Sequence, residues 1–86
     1  MSYAIELSTE ATKALRKLPV DIAQRISQRI ENSFSISPVP RNAIALEGSQ
    51  GTFRIRVGDY RVLYVVRRET KRILVFRIDK RSRVYD

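Results

Sequence analysis

The sequence predicts an α+β domain with the element order β-α-α-β-β-β, a two-helix hairpin packed on a small, mainly antiparallel sheet. Three observations predict it. A short alternating run at residues 3–7 is followed by helical periodicity up to about residue 34. From residue 52 the apolar period changes to two, and β-branched and aromatic residues dominate. Between these halves, Pro38, Pro40, Gly48 and Gly51 break up any long regular element. With 86 residues the chain predicts a single domain over residues 1–86. A domain of this size buries only about 60% of its unfolded surface, enough for one small core.

Each element has a local cause. YAIEL (3–7) alternates and reads as a strand. Ser8 or Thr9 caps a helix start, and Glu10 adds favourable negative charge in the first turn. Ala11, Ala14, Leu15 and Leu18 recur at helical spacing, giving an amphipathic helix over 9–18. Pro19 ends it and suits the first position of the next helix. There Ile22, Ile26 and Ile30 fall four apart, with Ala23 and Phe34 on the same stripe. In the connection, Ala43–Leu46 has room for a turn of structure. TFRIRV (52–57) then places Phe53, Ile55 and Val57 on one face and Arg54 and Arg56 on the other. Gly58 and Asp59 suit a two-residue type II′ turn, because glycine takes the positive φ that it requires. YRVLYVV is the next strand, RRETKR a polar turn, ILVFRI the last strand and DKRSRVYD a polar tail. ILVFRI looks apolar on both faces, so the sequence leaves the direction of Arg77 open.

Composition narrows the function. The chain has no cysteine and no histidine, which removes disulfides, thiolate chemistry and the usual zinc ligand and neutral-pH base. No metal or cofactor is expected. No apolar run approaches the roughly 20 residues of a membrane helix, and MSYAIELSTE lacks signal-peptide features. A cytoplasmic protein without a membrane partner is the expectation. The net charge of +8 is uneven. Residues 1–43 carry six cations and four anions, whereas residues 44–86 carry eleven and five. A basic half of this kind predicts a polyanionic partner.

The hairpin is the most informative segment. A Gly58-Asp59 loop pairs Val57 with Tyr60, Arg56 with Arg61, Ile55 with Val62 and Arg54 with Leu63. Arg56 and Arg61 then oppose each other, which is destabilising for like charges. Arg54 shares their face, while Tyr60 and Tyr64 fall on the other and read as core. One explanation is a solvated sheet face. The other is an external anion: guanidinium binds phosphate through two parallel hydrogen bonds and stays charged at physiological pH. Asp59 can offset one arginine but not three. Beyond the last strand, Lys80, Arg81, Arg83 and Tyr85 add further cations and an aromatic ring.

Taken together, LRKLP (15–19), Leu46-Glu47-Gly48, FRIRVGDYRVLYVV (53–66) and VFRIDKRSRVY (75–85) resemble the RelE/ParE superfamily of toxins over nearly the whole chain. The resemblance implies the RelE-like fold. RelE-type members are ribosome-dependent endoribonucleases that cut mRNA in the A site, without a metal, by 2′-OH attack on the scissile phosphate. It implies a catalytic set of Arg54, Arg56, Arg61, Arg81 and Tyr85, and RNA contacts at Arg77, Lys80 and Arg83. Arg54 and Arg56 stand where the best-known members carry lysines, and Asp79 and Lys80 where glycine and histidine are usual. Arginine suits charge stabilisation better than proton transfer. The resemblance also implies a cytoplasmic toxin–antitoxin hetero-oligomer with an acidic, RelB-like antitoxin, and the ribosome and mRNA as targets. Two other functions stay open: a ParE-like inhibitor of DNA gyrase, and an RNA-binding module with weak or no catalysis.

Overall fold

The computed structural model describes residues 3–48 and 50–80. Its elements are β1 (Ala4–Leu7), α1 (Thr9–Arg16), α2 (Val20–Ile36), β2 (Ile44–Ala45), β3 (Thr52–Val57), β4 (Tyr60–Arg67) and β5 (Arg72–Lys80). The five strands form one sheet in the order β1-β5-β4-β3-β2. Only β1 pairs in parallel, with β5; the other pairings are antiparallel. The two helices pack on the sheet, as the sequence predicts.

Local chemistry explains the helix starts. Ser8 caps α1, its hydroxyl accepting from the Ala11 N–H at 3.1 Å. Pro19 lies just outside α2 rather than in its first turn. Its ψ of 147° is extended, and its carbonyl accepts the first helical hydrogen bond, from Ala23 N–H at 2.9 Å. Ile26, Ile30 and Phe34 are buried along the predicted stripe of α2. They meet Ile55, Val57, Val62, Tyr64, Ile73, Val75 and Ile78 from the sheet. Tyr64 is fully buried between Phe34, whose ring centroid lies 4.4 Å away, and Phe53 at 5.8 Å. Its hydroxyl donates to the Pro38 carbonyl at 3.0 Å, which satisfies a polar group that would otherwise cost stability in the core. Burial pushes the Tyr64 phenol up to about 12.

The hairpin has the predicted register: Val57 with Tyr60, Arg56 with Arg61, Ile55 with Val62 and Arg54 with Leu63. Gly58 has φ +60°, while Asp59 is not in the positive-φ region, as a type II′ turn requires. Besides the place of Pro19 and the end of α1 at Arg16, three features differ from the sequence expectation. The connection contributes a two-residue strand, β2, opposite Arg54 and Phe53. α2 runs two residues past its expected end. β5 continues through Asp79 and Lys80, which the sequence pattern assigned to a polar tail.

The third difference has a structural cause. Leu63 pairs with Arg77 and Tyr64 with Val75, so Phe76 is an extra, bulged residue. The bulge shifts the phase of β5. Ile73, Val75 and Ile78 all reach the core, although an unbroken alternation would put 75 and 78 on opposite faces. Ser8 holds this bulge. Its N–H donates to the Val75 carbonyl at 2.9 Å, and its hydroxyl donates to the Phe76 carbonyl at 3.2 Å.

Candidate functional site

The sheet has a helix-covered face and an outer face. Cross-strand partners share a face, so the register defines the outer surface near the hairpin turn. One row runs Arg56, Arg61, Asp79 across β3, β4 and β5. The next runs Ile44, Arg54, Leu63, Arg77 across β2 to β5. Four guanidinium groups and one carboxylate therefore share a compact grid. The bulge at Phe76 puts the β5 pair there. Without that phase shift, Arg77 and Asp79 would point toward the helices.

The four arginines differ in setting. Arg61 lies on the central strand and is only 8% exposed, flanked across the strands by Arg56 and Asp79. Arg56 is exposed and makes no ion pair or side-chain hydrogen bond among the described residues. Arg54 is half-buried between Ile44 and Leu63. Arg77 pairs with Asp79, its Nε 3.0 Å from the carboxylate. This pair offsets one cation of the grid, and Arg56 is its most exposed guanidinium on the hairpin. Asp59 does not join the grid; with Arg25 it lines a small cavity beneath the turn, beside α2.

The structure thus brings together Arg54, Arg56, Arg61 and Arg77 from the residues predicted by sequence. Lys80 is separated from them. It pairs across the strand with Tyr60 and points to the helix side, where it lines a cleft with α1. Arg81, Arg83 and Tyr85 lie outside the described residues. Sequence reasoning missed the parts played by three residues. Ser8 fixes the bulge that aims Arg77 outward. Lys13 in the last turn of α1 and Lys17 at its C-cap fall on one side by their i, i+4 spacing and line the cleft with Lys80. Their spacing was visible in the sequence, but their meeting with β5 depends on topology.

Chemically, the outer grid is suited to holding a phosphate. Guanidinium forks bind phosphate oxygens in pairs, and their fixed positions stabilise added charge without reorganisation. The grid is made of arginines and one carboxylate, and the chain has no histidine to add to it. Among the described residues no helix is long and apolar enough to cross a membrane.

Residues 5–85 match the family model described as the ParE toxin of the type II toxin–antitoxin system parDE. Toxin RelG of Mycobacterium tuberculosis is 29% identical over 85 residues, spanning 99% of this chain and 98% of RelG. The fold resembles RelE in the archaeal RelE–RelB complex of Pyrococcus horikoshii, with a TM-score of 0.81 and 32% identity over 98% of this chain and 100% of that one. It also resembles the toxin–antitoxin complex RelBE2 of Mycobacterium tuberculosis, with a TM-score of 0.82 and 30% identity over 94% of this chain and 100% of that one.

Proposed function

The chain belongs to the ParE/RelE family of type II toxin–antitoxin toxins, and from that membership we propose that it is a ribosome-dependent endoribonuclease that cleaves mRNA in the A site. The observation that carries this reading is the outer grid, in which Arg54, Arg56 and Arg61 converge on one small patch with a single carboxylate beside them. Cations held this close favour an anion with several oxygens, and the scissile phosphate supplies one.

The reaction is an in-line transesterification. The 2′-oxygen forms a bond to phosphorus, the bond from phosphorus to the 5′-oxygen breaks, and a 2′,3′-cyclic phosphate remains. The 2′ proton leaves to solvent or a base, and the 5′-oxygen takes one up. Arg56 and Arg61, with Arg81, clamp the phosphate and stabilise its added charge. Arg54 sits where it lowers the cost of deprotonating the 2′-OH by electrostatic activation. Tyr85 orients the nucleotide or donates the final proton. The chemistry relies on positioning and charge, needs no metal, and fits a requirement for the ribosome to present the mRNA.

The cytoplasm is the proposed compartment. The partner is an acidic, RelB-like antitoxin, an assignment supported by solved relatives that are toxin–antitoxin complexes. A +8 chain suits such a partner. The ParE description of the matched family keeps a gyrase-directed toxin as the second reading. Mapping mRNA 5′ ends in translating cells that express the chain separates them. Codon-phased cuts, lost in Arg61→Ala and Arg81→Ala variants that stay folded by circular dichroism, support the nuclease. Intact mRNA with gyrase-dependent DNA breaks refutes it.

A further inference from the structure

The arginine grid is not the only basic surface of the described residues. A cleft of about 750 Å³ opens on the helix side of the sheet, lined by Lys13, Lys17, Tyr60, Lys80, Glu10 and the Arg77–Asp79 pair, with Leu18 among its apolar contacts. None of the three lysines makes an ion pair or side-chain hydrogen bond among the described residues. Its position is specific. Tyr60 and Lys80 form the row at the hairpin end of the sheet, next to the row of Arg56, Arg61 and Asp79 on the opposite face. β1 pairs with β5 only as far as Val75, so among the described residues no strand flanks β5 at 77–80 on that side. The cleft and the grid thus meet around an open strand edge, with Arg77 and Asp79 at the boundary.

We propose that this cleft is a second RNA-backbone site, which carries the strand leaving the arginine grid around the edge of β5 onto Lys13, Lys17 and Lys80, with Tyr60 as a stacking surface. The proposal rests on the nuclease reading and extends it. Lysines suit this role because an ammonium binds phosphate as a point charge from many directions, which a continuing backbone needs. A partly exposed aromatic ring beside a basic track is the usual platform for single-stranded bases. Glu10 and the Asp79 half of the ion pair line the same cleft and set its limit: they leave a net excess of cations but not a uniform field. An acidic protein segment is the competing occupant. Protein partners need apolar anchors. The large apolar side chains that stand exposed among the described residues, Leu7, Val20 and Ile44, lie outside the cleft, whose own aliphatic lining of Ala14, Leu18 and Ile78 is half-buried or buried. The observations therefore favour RNA.

The test uses the full-length toxin and a 12-nucleotide single-stranded 2′-O-methyl RNA, which cannot undergo 2′-OH attack. Binding is followed by fluorescence anisotropy across a salt series, with Lys13→Gln/Lys17→Gln and Arg56→Gln as variants. Lys13 in the last turn of α1 and Lys17 at its C-cap are both exposed, and a thermal melt confirms that the double variant is folded. Loss of two phosphate contacts should flatten the slope of log K against log salt by roughly 1.4 and weaken binding at low salt by on the order of tenfold or more. Losses from Arg56→Gln should add to these. A double variant with the wild-type slope and affinity overturns the cleft proposal; if Arg56→Gln still weakens binding, the nuclease reading survives. A double variant that keeps RNA binding but loses a poly-glutamate peptide assigns the cleft to an acidic protein, which also overturns it. Wild-type protein that does not bind the RNA at any salt overturns the cleft proposal, while the nuclease reading, in which the ribosome presents the mRNA, is decided by the mRNA 5′-end mapping.

Discussion

Replacing Arg56 by glutamine should stabilise the free protein. Arg56 and Arg61 are directly opposed across β3 and β4, where Cβ atoms sit about 4.5–5.5 Å apart. Arg56 is exposed and has no counter-charge among the described residues, whereas Arg61 is held 8% exposed beside it. If their guanidinium groups splay to about 6 Å, in an effective dielectric near 50, the repulsion is about 1 kcal/mol. Side-chain freedom and counter-ions reduce this, so Arg56→Gln should gain about 0.5–1 kcal/mol at low ionic strength. The assay is urea unfolding of both proteins at 20 mM and 500 mM salt. The gain should nearly vanish at 500 mM, where the Debye length is roughly 4 Å. Adding the RNA oligonucleotide should reverse the order, because the bound anion removes the repulsion only where both arginines are present. A variant less stable than wild type at low salt would refute the reasoning, since Arg56 would then be a favourable contact. So would a gap that ignores salt, because its origin would not be charge.

Two further predictions concern what holds the grid in place. Tyr64→Phe should cost about 1 kcal/mol at pH 8 by stranding the Pro38 carbonyl. Because the folded phenol is raised to about 12 from its ordinary 10, the stability its protonated form provides is complete below pH 10 and drains away as pH rises toward 12. The wild-type advantage in urea midpoint should therefore disappear near pH 11; a gap that is constant with pH contradicts the burial argument. Ser8→Ala should cost about 2 kcal/mol, roughly 1 for the helix cap and 1 for the bulge carbonyl at Phe76. Ser8→Thr should recover most of it, and an alanine variant as stable as wild type would show that the bulge holds without Ser8.

Much of the fold was legible because two different periods lie in one short chain. The stripe of Ile26, Ile30 and Phe34 and the alternation of Phe53, Ile55 and Val57 each specify a buried face without reference to anything distant. The hairpin register was legible for the same local reason: Gly58 at positive φ fixes the turn, and the turn fixes every pair above it. β5 was not legible. Its residues alternate acceptably in either phase, and the choice is made by a bulge that no local pattern announces. That bulge is stabilised from 68 residues away in sequence, where Ser8 donates to Phe76. β2 escaped for a related reason, since two residues carry no period and Ile44–Ala45 become a strand only by pairing with β3.

The same distinction separates the parts of the candidate site. Arg54, Arg56 and Arg61 are placed by a local turn, and their conflict could be read from the sequence by pairing the strands. Arg77 and Asp79 reach the same face only through the bulge, and they arrive as a pair of opposite charges. That arrangement matters for binding. Four uncompensated guanidinium groups on one small patch would strain the sheet of a domain with a single small core, and stability in such domains is only several kcal/mol. Asp79 beside Arg61 and bonded to Arg77 lowers that strain. It leaves Arg56, one strand farther from the carboxylate, as the exposed charge of the grid. The β5 end is therefore a poor place for the scissile phosphate and a reasonable place for the strand to turn the edge. The carboxylate divides one basic surface into a grid that concentrates charge and a cleft that distributes it.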